Sequence, residues 1–311
     1  MSESSVAATA LSGLDGDEIL DLLTGIRRDS PDRIRESLRA RRRRPLLSRS
    51  GTMFLLAADH PARGVLSAGS QPQAMADRGE MLRRLLIALA RPGVDGVMAT
   101  ADVLEDLALL GALEGRVVFG CMNRGGLSGS SYELDDRFTA YDAEAVAAAG
   151  LDGGKMMVRV ADDDRGALRT LTATAEAIKQ LAGRRLVAMV EVFASRMEDG
   201  RARNLDDVDA LARAVAVVSG LGATSAYTWL KLPAVEDLPR LLRATTLPTV
   251  LLGGDPGAEA AQTRRRWQEA MALPQVVGLV AGRTLLYPEH GDVAAGVDEA
   301  AALVSGGGRP G

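Results

Sequence analysis

Between residues 53 and 281, eight short apolar runs recur, each parted from the next by a stretch of helical periodicity. The runs fall at 53–58, 96–99, 117–122, 155–160, 186–193, 227–232, 249–252 and 276–281. Helical patterns fill 73–90, 103–113, 142–149, 166–182, 205–221, 236–244 and 258–272, and a last one spans 293–304. Strands alternating with helices make parallel βαβ units. Nearly continuous apolar strands are those covered on both faces. Eight such units in sequence predict an α/β fold in which the sheet closes on itself, a (β/α)8 or TIM barrel, for which 311 residues is ample. No G-x-G-x-x-G fingerprint follows the first run, which argues against an open dinucleotide-binding sheet.

Residues 1–50 read as an N-terminal helical extension, with residues 51–311 as the barrel. Two helices are expected in the extension, at 15–26 and 31–44. Its basic run Arg41–Arg44 reads as the charged end of a helix before Pro45; the alternative is a nucleic-acid patch. A net charge of −4 leaves no global basic field, so no nucleic-acid partner is expected. One cysteine, Cys121, excludes an internal disulfide framework and suits a reducing, cytoplasmic setting. No apolar run reaches the ~18 residues of a membrane span, and the N-terminus lacks the pattern of a secretory leader.

In a barrel of this kind chemistry sits at the C-terminal strand ends. There the sequence is selective. Of 37 basic residues only three are lysines, Lys155, Lys179 and Lys231. Lys231 closes the sixth run, after Tyr227 and Trp229 and before Leu232-Pro233. Burial disfavours an ammonium, and a neutral amine is the form that attacks a carbonyl; the plain alternative is a lysine snorkelling at a strand end. Lys155 shares a face with Met157 and Arg159 in the fourth run. The fourth and sixth strands feed the same side-chain layers, so the two lysines are expected to approach inside the barrel, each cation disfavouring the other. Alternatively Lys155 pairs with a carboxylate near the barrel floor. Glu191, inside the fifth run, needs a cationic partner. Asp59 ends the first run and is placed to orient a lysine or relay a proton; the alternative is a turn residue. His60, next to it, is expected to point away from the lumen. Lys179 reads as a solvated helix residue.

The seventh run leads into Gly253-Gly254-Asp255-Pro256-Gly257, and the eighth into Gly282-Arg283. Loops after strands seven and eight often cradle phosphate, and glycine lets an anion approach backbone. Arg159 and Arg283 are further substrate-binding candidates. The loop from Asn123 to Arg137 is long and polar, as expected of a segment covering the site, and its serines and arginines are expected to touch substrate. Two histidines are too few for a zinc-aldolase ligand set, so no metal and no cofactor are expected.

The set Asp59, Lys155, Glu191, Lys231 and Gly282-Arg283 resembles the class I, Schiff-base aldolase barrels. These include tagatose-bisphosphate, archaeal-type fructose-bisphosphate and deoxyribose-phosphate aldolases. The resemblance covers about residues 52–290. It implies that Lys231 forms the Schiff base, that Lys155 matches a strand-four lysine, and that Gly253, Gly254, Gly282 and Arg283 hold substrate phosphate. More narrowly, the chain resembles aldolases associated with myo-inositol catabolism. That implies cleavage of 2-deoxy-5-keto-gluconate 6-phosphate to dihydroxyacetone phosphate and malonate semialdehyde. The expected partners are a small phosphorylated sugar and further copies of the chain in a homo-oligomer. The alternatives are another phosphosugar barrel enzyme (isomerase or synthase) and a non-catalytic sugar-phosphate-binding barrel.

Overall fold

The computed structural model describes residues 13–254 and 260–306. Eight strands form the ring: β1 (Met53–Ala58), β2 (Gly96–Ala99), β3 (Val117–Cys121), β4 (Gly153–Val160), β5 (Val187–Glu198), β7 (Thr228–Leu232), β8 (Thr249–Leu252) and β9 (Val276–Ala281). Each pairs in parallel with its neighbour, and β9 returns to β1, so the barrel is closed. Closure leaves no free edge in the ring. The α/β barrel expected from the eight-fold rhythm is thus the observed fold.

Period-two alternation sorts each strand into two cores. Met53, Leu55 and Ala57 of β1 join Met98, Phe119, Met189, Val250 and Val280 inside the ring. Phe54, Leu56 and Ala58 face outward and pack with the helical layer. Those helices are α3 (Arg78–Leu89), α4 (Ala101–Leu109), α5 (Ala143–Ala148), α6 (Arg165–Gly183), α7 (Val208–Ser219), α8 (Leu238–Leu242), α9 (Ala260–Met271), α10 (Arg283–Leu286) and α11 (Val293–Gly306). Aspartates fix several starts. Asp77, Asp142, Asp164 and Asp207 each accept a hydrogen bond from a backbone N–H of the first turn. For this reason α3 begins at Arg78 and α7 at Val208, later than the apolar pattern alone suggests.

One element is missing from the sequence reading. β5 runs past the ring to Glu198 and folds back antiparallel with β6 (Arg201–Leu205), whose ladder runs from Ala194–Leu205 to Glu198–Arg201. This hairpin stands over the C-terminal mouth. Its turn is tight, with Asp199 and Gly200 both at positive φ.

The described part of the extension forms α1 (Gly16–Asp29) and α2 (Asp32–Ala40), packed on α3 and α4. After α2 the chain passes under the barrel, and the four arginines bond to its foot. Arg41 donates to the carbonyls of Arg116 (2.8 Å) and Gly150 (2.5 Å). Arg42 pairs with Glu114, Arg43 with Asp152 at 2.8 Å and Arg44 with Asp95 at 2.5 Å. Asp95 and Asp152 also accept from the strand N–H groups of Phe54 and Val118. Leu46 and Leu47 then pack against the inner core from below. The basic run is therefore spent on carboxylates and carbonyls of its own chain. Among the described residues no helix is long and apolar enough to cross a membrane.

Candidate active site

Charged side chains on or just after four strands converge in the lumen, Lys155 in register with Cys121 and Met189 of the inner core. β5 and β7 set Glu191 directly beside Lys231 in register. Glu191 Oε1 accepts from Lys231 Nζ at 2.5 Å, and its Oε2 lies 2.5 Å from Lys155 Nζ. Lys155 also donates to Asp59 Oδ2 at 3.0 Å. All four are buried, with relative exposures of 2% for Lys155, 4% for Asp59, 5% for Lys231 and 8% for Glu191. The four residues singled out on four separate runs thus form one connected cluster. The lysines do not face each other bare, however, because the Glu191 carboxylate sits between them.

Electrostatics follow from this packing. Burial alone would raise the Glu191 carboxyl, but Lys155 and Lys231 outweigh it and hold the group well below the usual carboxylate range. Burial likewise acts to raise Asp59, and Arg124 and Lys155 override it in the same direction. Burial pulls the Lys155 ammonium down, and Asp59 and Glu191 more than compensate, so it is held above its ordinary value. The thiol of Cys121, 3.5 Å from Asp59 Oδ2, is pushed up to about 11 chiefly by burial.

The cluster opens into a cavity of ≈ 180 Å³ at the C-terminal mouth. One water occupies about 10–15 Å³ on this measure, so the space suits a small ligand. Arg159, Gly253, Gly254, Gly282 and Arg283, the expected substrate-binding residues, all line it. Arg159 pairs with Glu133 at 2.7 Å, yet its Nε and Nη1 are buried without a hydrogen-bond partner. The Thr284 hydroxyl donates to the carbonyls of Gly253 (3.0 Å) and Gly254 (3.2 Å), clipping the loop after β8 to the one after β9. Asp255, Pro256 and Gly257, also part of the expected glycine loop, lie outside the described residues. Lys179 is exposed and pairs with Glu176 at 3.1 Å, away from the cleft.

Three contributors come from outside the alternation of the ring strands. His60 lines the cleft rather than pointing away from it, because the chain turns into a 3-10 turn at Pro61–Arg63 immediately after Asp59. Arg124 comes from the long loop after β3 and is ion-paired with Asp59, with both side chains only 6% exposed. Asn204, from the unforeseen hairpin, completes the rim. The long loop itself is stitched down: Arg63 donates to the carbonyls of Asn123 and Gly126, both at 2.9 Å, and Asp136 N–H donates to Thr170 at 2.9 Å. Among its side chains only Arg124 lines the cleft; its serines do not. Of the loop arginines and serines expected at the substrate, Arg124 alone reaches the cleft, because a loop has no periodicity to say which of its side chains points inward. Among the described residues no group of three His, Cys, Asp or Glu side chains is arranged to hold a metal ion.

A family model described as Cgl0159-like matches residues 51–301, which is the whole barrel. The chain belongs to the Cgl0159-like family. It is similar to the crystal structure of Cgl0159 from Corynebacterium glutamicum, at 48% identity over 92% of this chain and 97% of that one, with a TM-score of 0.89. The barrel of this Cgl0159-like chain also superposes on an archaeal fructose 1,6-bisphosphate aldolase, at 17% identity over 88% of this chain and 99% of that one, with a TM-score of 0.62. A fructose-bisphosphate aldolase from Slackia heliotrinireducens DSM 20476 gives a TM-score of 0.58 at 17% identity, covering 82% and 86% of the two chains. At that identity the likeness is one of fold. No curated protein matches the chain.

The cleft of this Cgl0159-like protein tolerates little change at its glycine loop. A Cβ on Gly282 would lie 2.3 Å from the Ala57 carbonyl oxygen and 3.0 Å from His60 Cε1. The first of these contacts is backbone and cannot swing aside. Gly282→Ala is therefore expected to lower stability by roughly 1–3 kcal/mol, measured by the midpoint of chemical denaturation.

Proposed function

We propose that this protein is a class I aldolase, an aldehyde-lyase that needs no metal and cleaves a phosphorylated ketose or keto-sugar acid through a Schiff base on Lys231. The observation that carries the reading is the Lys231–Glu191–Lys155 chain at the mouth of the barrel, both links 2.5 Å long. A buried amine with a carboxylate on its own nitrogen can lose a proton locally and attack a carbonyl. Glu191 Oε1 accepts that proton, and Lys231 Nζ bonds to the ketone carbon. The carbonyl oxygen takes up a proton and leaves as water, giving an iminium. The iminium then draws in the electron pair of the neighbouring C–C bond. The hydroxyl on the far carbon loses its proton as that carbon becomes an aldehyde, and the other fragment remains on Lys231 as an enamine. Protonation of the enamine and hydrolysis restore the amine. Lys155 keeps Glu191 ionised between steps.

The charge of the cleft supports an anionic substrate. Six cationic side chains line it (Arg63, Arg124, Lys155, Arg159, Lys231 and Arg283) against two carboxylates, Asp59 and Glu191. Gly253, Gly254, Gly282 and Arg283 form the proposed phosphate seat, directly after the seventh and eighth strands of the ring. Arg159 stands on the fourth strand, half the ring away from the eighth. A substrate with phosphate at one end and carboxylate at the other suits that spacing. Of the candidates, 2-deoxy-5-keto-gluconate 6-phosphate has this form, with dihydroxyacetone phosphate and malonate semialdehyde as products. We place the enzyme in the cytoplasm, working as a homo-oligomer.

Borohydride reduces an iminium to a stable secondary amine. Wild-type protein treated with borohydride and dihydroxyacetone phosphate is expected to gain the mass of one reduced ketone adduct, on the peptide carrying Lys231. Absence of an adduct with that ketone and with a panel of phosphorylated keto-sugars would sink the reading.

A further inference from the structure

Asp59 and His60 both line the cleft, and each carries one hydrogen-bonding position that no other group of the described chain fills. Every hydrogen bond onto the Asp59 carboxylate falls on Oδ2: from Lys155, from Arg124 and from the Cys121 thiol. Oδ1 receives none of them, and its near polar neighbour is His60 Nδ1 at 3.8 Å. That nitrogen is buried without a hydrogen-bond partner. His60 keeps 24% side-chain exposure and lines the cavity. Burial pushes its ring down to about 4, so it is neutral at pH 7 and carries a single N–H. A carboxylate oxygen beside Nδ1 favours the tautomer with the proton on that nitrogen.

An acceptor and a donor less than 4 Å apart, on two side chains that both line a ligand cavity, match one chemical group well. A hydroxyl donates its hydrogen to a carboxylate oxygen while accepting from an imidazole N–H. A phosphate oxygen or a carboxylate would be repelled by Asp59. A methylene would leave both positions empty. We infer that Asp59 Oδ1 and His60 Nδ1 together bind a substrate hydroxyl, and that His60 is a specificity-determining residue of this cleft. The location of the pair says which hydroxyl. Asp59 Oδ2 touches Lys155, one link from Glu191 and Lys231, while the His60 ring lies against Gly282 on the proposed phosphate seat. The hydroxyl thus sits between the reacting carbonyl and the phosphate, one or two carbons from the latter. This deepens the aldolase reading and takes from it the position of the carbonyl and the phosphate, but the hydroxyl site is testable without any carbonyl chemistry.

The probes are sn-glycerol 3-phosphate, which carries a hydroxyl next to its phosphate-bearing carbon, and propyl phosphate, which does not. Neither forms a Schiff base. The wild-type protein is expected to bind glycerol 3-phosphate about tenfold more tightly than propyl phosphate, the size expected when a buried polar pair goes unfilled. His60→Ala should shrink that ratio to about twofold or less while leaving propyl phosphate affinity nearly unchanged. His60→Asn, which keeps a donor near the Nδ1 position, should restore part of the ratio and guards against a variant that merely fails to fold. With only two histidines in the chain, the ring signals of His60 in a nuclear magnetic resonance spectrum are assigned by their loss in His60→Asn. They should move with glycerol 3-phosphate and not with inorganic phosphate. Equal affinity for the two probes in the wild type, no binding of either, or a ratio that survives in folded His60→Ala would each overturn the inference. Borohydride trapping on Lys231 would stand or fall independently of all three.

Discussion

Lys231→Met is expected to abolish the borohydride-trapped adduct and to lower cleavage by roughly 10⁴-fold or more, as loss of a covalent nucleophile does. The substitution keeps length and volume and removes only the amine. It does not strand its partner, because Glu191 Oε2 stays 2.5 Å from Lys155. Replacing one buried charge of a network with an apolar group of similar size, while the remaining ion stays paired, is close to neutral in stability. The melting temperature should therefore stay within a few degrees of wild type, which separates loss of chemistry from loss of fold. An adduct that forms as fast on Lys231→Met would show that another amine does the chemistry, and Lys155 is the one to map next.

Glu191→Gln should do the opposite, costing stability as well as turnover. It leaves Lys155 and Lys231 buried, with the nearest remaining anion, Asp59, already shared with Arg124. Removing one member of a buried ion network in this way typically costs about 3–5 kcal/mol. In a chain of this size that is a drop of roughly 10 °C in the melting temperature. The pH dependence gives a second signature. The folded-state values of Glu191 and Asp59 are depressed, so their contribution is present above the unfolded carboxylate range and is lost as pH falls through it. Wild type is expected to lose stability progressively below about pH 4.5. Glu191→Gln, already lacking one of the two groups, should show a shallower acid limb in thermal melts between pH 7 and pH 3.5. A variant as stable as wild type, with an unchanged limb, would mean that the two lysines are not both charged in the folded protein.

The ring of strands and the four-residue cluster were readable for one reason. Alternation along a strand fixes which side chains enter a closed barrel, so Lys155, Glu191, Lys231 and the strand-end Asp59 had to share a lumen. What that rule does not govern was either missed or left without a single residue named. Arg124 lies in a loop whose path is set by the distant anchors Arg63 and Thr170. His60 follows its strand into a turn, where alternation no longer predicts direction. The hairpin from Ala194 to Leu205 consists largely of exposed, charged residues, whose pairing is backbone-driven and leaves no hydrophobic trace. Helix starts were legible in principle: Asp77 and Asp207 stand where caps belong and outrank the apolar pattern that had been followed through them.

The arginine-laced segment beneath the strands has a consequence for traffic. Arg41, Arg43 and Arg44 bind the feet of three strand approaches, and Leu46 and Leu47 stopper the lower lumen. Among the described residues the barrel is thus a cup and not a tube, closed at its foot and open at the C-terminal mouth. Under the proposed aldolase reading, the fragment held deeper against Lys231 must wait for the shallower one to depart, so the order of release follows from the architecture.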